Sequence, residues 1–286
     1  MAVAADRNAS RQPAAPSPEP GLRAHALADH VLRELDAAIA HLAWRGSRVH
    51  AGVHLARKAL RRTRATIALG AAGLGPGAEL LDRELRRVNR GLSPLRDVQA
   101  LVETLDRLID SGYDAATTQL LQRVRRVAHA RRSKVAHEIL ASDPALAARR
   151  AMLDVLRDAM QALPWQALMP EQIEAAREYS RQRLRAARLR AIKRARDEDW
   201  HRWRRRARRV AQQRSALIAI GMDPDQLDQA DEFDKRTTER LGLAQDLALL
   251  IARCGRDSPF SKVDRTALRA FAKPKLARLR RKLASR

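Results

Sequence analysis

Two stretches of the chain carry one basic pattern at helical spacing. The first reads His54-Leu-Ala-Arg57-Lys58-Ala-Leu-Arg61-Arg62, the second His201-Arg-Trp-Arg204-Arg205-Arg-Ala-Arg208-Arg209. Counted from its histidine, each places a basic residue at +3, +4, +7 and +8. Those positions share one face of an α-helix. On a surface helix the same stripe is ordinarily the apolar one. Here it is cationic, twice. Like charges four residues apart repel, so each stripe costs stability unless an anion compensates it. The chain reads as built to hold a ligand with many negative charges.

Composition points the same way. The 57 Lys and Arg against 33 Asp and Glu give a formal net charge of +24. Such an excess speaks to partners rather than to fold, and admits nucleic acid, an anionic membrane surface or an inorganic polyanion. Arginine dominates the cations, and its planar fork suits phosphate oxygens. Hydrophobic residues make up 45% of the chain, much of it Ala and Leu, which favours closely packed helices. Cys254 is the single cysteine, which rules out an intramolecular disulfide and a cysteine-based metal site. A reduced compartment fits. No secretory signal and no apolar run of transmembrane length is read. The expected location is the cytoplasm.

Residues 1–21 are rich in Ala, Pro and Ser and are expected to form a disordered tail. Helical periodicity then predicts helices over 23–43, 49–70, 77–91, 94–110, 114–141, 145–162, 170–194, 197–220, 225–240, 242–254 and 262–284. Breakers separate them, among them the Gly70 to Gly77 stretch, Ser93-Pro94, Asp143-Pro144, Pro170 and Gly221 to Pro224. No alternating strand pattern stands out, so the expected class is all-α.

The chain also repeats itself beyond the stripes. Gly91-Leu-Ser-Pro-Leu-Arg-Asp97-Val aligns with Arg240-Leu-Gly-Leu-Ala-Gln-Asp246-Leu. The same register pairs Arg86 and Arg87 with Lys235 and Arg236, Arg126 with Lys275, and Arg131 and Arg132 with Arg280 and Arg281. Two tandem helical-bundle repeats follow, 23–141 and 170–284, joined by a connector over 142–169. A duplication of this kind implies pseudo-two-fold symmetry, with the matching basic faces turned toward one shared site.

The segments VHLARKALRRTRA around His54, LSPLRDVQAL, HRWRRRARR and LGLAQDLALL together resemble a CHAD domain, a helical domain with recurring histidines. The resemblance covers about residues 22–284. It implies two four-helix-like repeats around a basic central cavity, with inorganic polyphosphate as ligand. Family members occur alone or beside a triphosphate-processing CYTH domain, whose ExExK signature is absent here, so the resemblance implies a stand-alone binder. Association with polyphosphate granules is compatible with it. Two departures stand out: Lys58 occupies a position where Arg is as common, and Gln245 replaces the arginine that precedes the aspartate in the first copy.

From His54 to Arg62 a helix rises about 12 Å, so successive turns of the stripe would grip a linear polyanion at successive points. Arginine offers bidentate contacts, lysine a movable charge, and histidine a directed N–H that becomes cationic beside an anion. The expected polyphosphate-binding residues are the two stripes together with the register-paired cations named above. The alternative for each is a solvated basic face. Asp97 and Asp246 sit at the starts of predicted helices. They would orient a stripe cation toward the cavity, or answer the helix dipole, or both. Arg181, Arg185 and Arg188 are read as solvent-facing. Trp44, Trp200 and Trp203 are read as packing groups, and the remaining histidines as structural or surface residues.

No HExxH, P-loop, GxSxG or Cys/His cluster occurs, and acidic metal clusters are missing. No metal, no cofactor and no catalysis are expected. Four Trp, two Tyr and three Phe are few for a single-strand binder, which stacks bases on aromatics. Nucleic acid or generic polyanion binding is the rival reading, and weak non-specific nucleic-acid binding is expected from charge alone. The oligomeric state is left open.

Overall fold

A computed structural model describes residues 20–223, 227 and 235–285. The described residues are helical throughout, without a strand, and the all-α expectation holds. The helices are α1 (Pro20–Leu42), α2 (Val49–Gly91), α3 (Ser93–Asp110), α4 (Ala115–Ser142), α5 (Ala147–Gln161), α6 (Pro170–Arg194), α7 (Asp197–Ala219), α8 (Lys235–Ala252) and α9 (Lys262–Ala284).

Several boundaries follow the expected punctuation. Pro94 and Pro170 stand in the first turns of α3 and α6, where a missing N–H costs nothing. Asp114 caps α4 by accepting from the Thr117 amide at 2.9 Å, and Ser261 caps α9 by accepting from that of Asp264 at 3.1 Å. Asp197, Glu198 and Asp199 fill the first turn of α7, which favours carboxylates.

The break expected in the Gly70 to Gly77 stretch falls at Gly75, whose φ of 69° and ψ of −169° are open only to glycine, with Pro76 restarting the helix behind it, so that α2 is two helical limbs joined at a bend. Two expectations change. Residues 235–252 form one helix where a break near 241 is expected, because Leu241 and Ala244 are both buried on one face. The first helix already begins at Pro20, two residues inside the predicted tail. The rest of that tail, and the part of the predicted 225–240 helix before residue 235 other than Leu227, lie outside the described residues.

The helices pack as neighbouring pairs: α1 on α2, α3 on α4, α6 on α7, and α8 on α9. The two halves meet where α2 crosses α6 and α7, and where α3 meets α8. Helix α5, inside the sequence connector, packs on α1 and α2 and supplies Leu153, Leu156 and Met160 to the core. There are two apolar cores. One gathers α1, α2 and α5 with Ile173 of α6 and Leu217 of α7. The other gathers α3, α4, α8 and α9 with Leu184 and Ala187 of α6 and Trp200, Trp203 and Ala207 of α7. Helices α6 and α7 therefore run through both cores. This fixes α7, and its stripe, against α2.

Candidate functional site

The two stripes lie on helices that cross. Within each stripe the +3 and +7 residues turn inward, so that Arg57 and Arg61 of α2 share electrostatic surroundings with Arg204 and Arg208 of α7. Arg96 of α3 joins them. Arg61 is the most crowded. Burial pushes its guanidinium down to about 9, and the charges of Arg208, Arg57, Arg204 and Arg96 all push the same way. Its Nε, buried, finds no hydrogen-bond partner. Arg204 is pushed down to about 10, by burial first and then by Arg208, with Asp246 opposing. Arg57 and Arg208 are lowered by burial, opposed by Asp97 and Asp246 respectively. A guanidinium keeps its proton at neutral pH. Burial is the larger cause throughout, and the neighbouring cations add to it, so an anion placed among them would offset that repulsion.

Local contacts hold this cluster in place. Arg57 Nη1 donates to the Asn89 carbonyl oxygen and, at 3.0 Å, to Ser93 Oγ, both at the α2–α3 junction. Across the contact of the two helices, Gln213 Nε2 of α7 donates to the Ala65 carbonyl of α2 at 3.3 Å.

Both stripe histidines are half-buried and neutral at neutral pH. Burial lowers His54, and Arg96, Arg61 and Lys58 lower it further against Glu103. Burial also lowers His201, but here Gln245 opposes: its Oε1 lies 2.6 Å from His201 Nδ1. The substitution at Gln245 thus has a structural counterpart. The residue before the aspartate is a cation acting on one histidine and a hydrogen-bond acceptor for the other.

The two aspartates stand beside the stripes. Asp97 reaches solvent on one side. Burial on the other raises its carboxyl, opposed by Arg57, Arg253 and Arg96. Asp246 accepts from Arg107 at 2.7 Å and acts on Arg204 and Arg208. The helix-start reading does not apply to Asp246, because α8 is longer than expected and places it well inside.

The +4 and +8 members of α2 turn away from this centre, whereas those of α7 face a cleft that Arg61 and Arg208 also line. Lys58 is exposed. Arg62 is held by Glu34 of α1 through two contacts of 2.5 Å. Arg205 and Arg209 line an open cleft of about 380 Å³ between α2 and α7, together with Arg61, Arg64, Ala65, Arg86, Arg202, Arg206, Arg208 and Gln212. Arg64 is tied to Asp82 at 2.7 and 2.9 Å, and Arg209 Nη2 donates to the Arg64 carbonyl at 3.4 Å. Eight of the ten lining residues are arginines, so this wall is nearly all cation.

The other register-paired cations are spread out. Of these, Arg86 lines the cleft, whereas Arg87 is exposed near Glu84 at 3.9 Å. Arg126, Arg131, Arg236 and Arg281 are exposed. Arg132 donates to Gln99 at 3.0 Å and approaches His129. Lys275 sits over the rings of Tyr113 and Phe271 at 4.4 and 4.6 Å, and Arg280 pairs with Asp197 at 2.6 Å. The Lys235 side chain lies outside the described residues. Arg181, expected to face solvent, is largely buried beside Glu174 and Glu178. Trp200 and Trp203 pack against each other in the second core as expected.

Sequence reasoning missed Arg96, Arg64, Arg202 and Arg206. The signal for Arg96 was its place beside Asp97 in a repeated segment. For Arg202 and Arg206 it was only local charge density, since both lie off the stripe. Among the described residues no group of three or more His, Cys, Asp or Glu is placed to hold a metal ion, and no helix is long and apolar enough to cross a membrane.

Comparison with known proteins bears on this arrangement. The CHAD domain family model matches residues 26–255. Among solved structures, PptA from Streptomyces chartreusis is similar at 19% identity and a TM-score of 0.61, over 94% of this chain and 99% of that one. No curated protein matches the sequence.

Proposed function

Since the chain belongs to the CHAD domain family, we propose that it binds inorganic polyphosphate in the basic cleft between α2 and α7, without cleaving it. The observation that carries this reading is Arg61, a buried guanidinium whose strongest electrostatic neighbours are four other arginines. A linear chain of phosphates supplies what is missing there: closely spaced anionic oxygens, each able to accept two parallel N–H bonds from one arginine. The stripes would belong to two repeats related by a pseudo-two-fold axis, so that one chain meets equivalent cations from each side. Asp97 and Asp246 would hold stripe arginines in position rather than meet the ligand. Asp82 is paired with Arg64 and Asp246 with Arg107, whereas metal-assisted phosphoryl transfer draws on acidic side chains free to clamp the metal.

The test is titration with long-chain polyphosphate at physiological salt, competed by duplex and single-stranded DNA. Polyphosphate should hold its place against equal phosphate equivalents of DNA. Equal displacement would reduce the site to a general polyanion surface, and phosphate release in Mg²⁺ or Mn²⁺ would end the non-catalytic reading.

A further inference from the structure

A second arginine-lined cleft, of about 430 Å³, lies between α6 and α7. It is lined by Arg183, Ala186, Ala187 and Arg190 of α6 and by Arg202 and Arg206 of α7. Arg183 and Arg190 stand seven residues apart, two turns along one face, with the small alanines between them. Arg202 and Arg206 also line the α2–α7 cleft, so the two clefts adjoin along α7. Few anions serve these four guanidiniums. Arg202 has Asp199 at 3.7 Å, and Arg183 donates to the Tyr179 hydroxyl at 2.6 Å. Among the described residues Arg190 and Arg206 have no acidic partner.

We propose that the α6–α7 cleft is a second anion subsite, which takes the phosphates of a long chain after it leaves the α2–α7 cleft over Arg206. This rests on the reading of the first cleft as a polyphosphate site. The lining suits a bare phosphate chain: four guanidiniums beside small alanines, and no aromatic ring among the lining residues on which a base would stack. The electrostatics agree, since burial and the charges of Arg183, Arg209 and Arg205 all lower the Arg206 guanidinium. Short chains would fill only the first cleft, so affinity should grow with chain length through a defined pair of residues on α6.

The experiment compares the whole protein with Arg183→Gln combined with Arg190→Gln, using tripolyphosphate and long-chain polyphosphate as probes in calorimetric titrations at several salt concentrations. Arg256→Gln combined with Lys273→Gln removes the same charge at exposed positions elsewhere. The α6 pair should weaken long-chain binding severalfold and leave tripolyphosphate unchanged. It should also flatten the salt dependence by roughly 0.7 in log–log slope for each phosphate that the variant no longer neutralises, as for a single-stranded polyanion. Unchanged long-chain binding, or an equal weakening in the control pair, overturns the second subsite while leaving the first cleft standing. A wild-type protein that binds neither probe overturns the first reading and this one with it.

Discussion

Arg61 sits among Arg57, Arg204 and Arg208 where burial costs it hydration and its neighbours repel it. Replacing it by methionine keeps most of the apolar stem and removes the charge. Arg61→Met should therefore raise the melting temperature of the unliganded protein. It should also weaken polyphosphate binding about tenfold or more, since a hydrogen bond to a charged group contributes roughly 1.5–3 kcal/mol. A lower melting temperature would instead mean that the guanidinium stabilises the empty fold. His54 and His201 make the second case at this scale. Both are held below their ordinary value, chiefly by burial, so the empty protein favours their neutral forms. Stability from this source is complete above the unfolded value of about 6.5 and is lost as pH falls through the folded values. A phosphate chain beside them reverses the bias and draws protons in. Affinity for polyphosphate should rise as pH is lowered from 7.5 towards 5.5, and His54→Gln with His201→Gln should remove most of that rise.

The helix α2 was legible in its face and in the place where it is interrupted. Positions 54 to 62 fix a stripe because 3.6 residues per turn bring His54 and the four cations at +3, +4, +7 and +8 onto one face. What the period does not reveal is that a stripe is wider than one neighbour can cover. Tertiary packing turns Arg57 and Arg61 towards α7, gives Arg62 to Glu34 of α1, and leaves Lys58 to solvent. Arg96 joins the centre through packing of α3, which no spacing on α2 or α7 encodes. The interruption of α2 was legible in Gly75 and Pro76, but its geometry was not: glycine at φ 69° changes the direction of the chain, and proline is tolerated where a helix begins again. Nothing lies within 4 Å of a Cβ placed at Gly75, so Gly75→Ala tests backbone strain alone. It should destabilise by about 1–3 kcal/mol in denaturant melts. Because the bend sets the angle of the limb that carries Arg86, it should also weaken polyphosphate binding.

At the scale of the molecule, the charge of +24 and the doubled pattern made a polyanion partner legible, while the way the halves interlock was not. Aligning the two copies suggests two bundles side by side. In the structure α6 and α7 enter both cores, and α5 belongs to the core of α1 and α2. The cleft is thus walled by helices that the cores hold rigidly, and filling it should stabilise the whole fold. A ligand at a hundred times its Kd adds about 2.7 kcal/mol to a protein that binds it only when folded. Long-chain polyphosphate should therefore raise the melting temperature, and the rise should shrink with added salt as counterions compete. A salt-insensitive shift would argue against a phosphate-dominated site.

The sharing of both cores by α6 and α7 also governs the order in which the chain can fold as it is made. The core of α1, α2 and α5 takes Ile173, Leu217, Ile220 and Leu227 from the far half of the sequence. While the ribosome is still translating towards residue 227, the finished α1 and α2 hold an open apolar face and an unscreened row of arginines. That core is therefore complete only once α6, α7 and the residues just after them have been made, and α7 then adds the four arginines of its stripe to the row that α2 already carries.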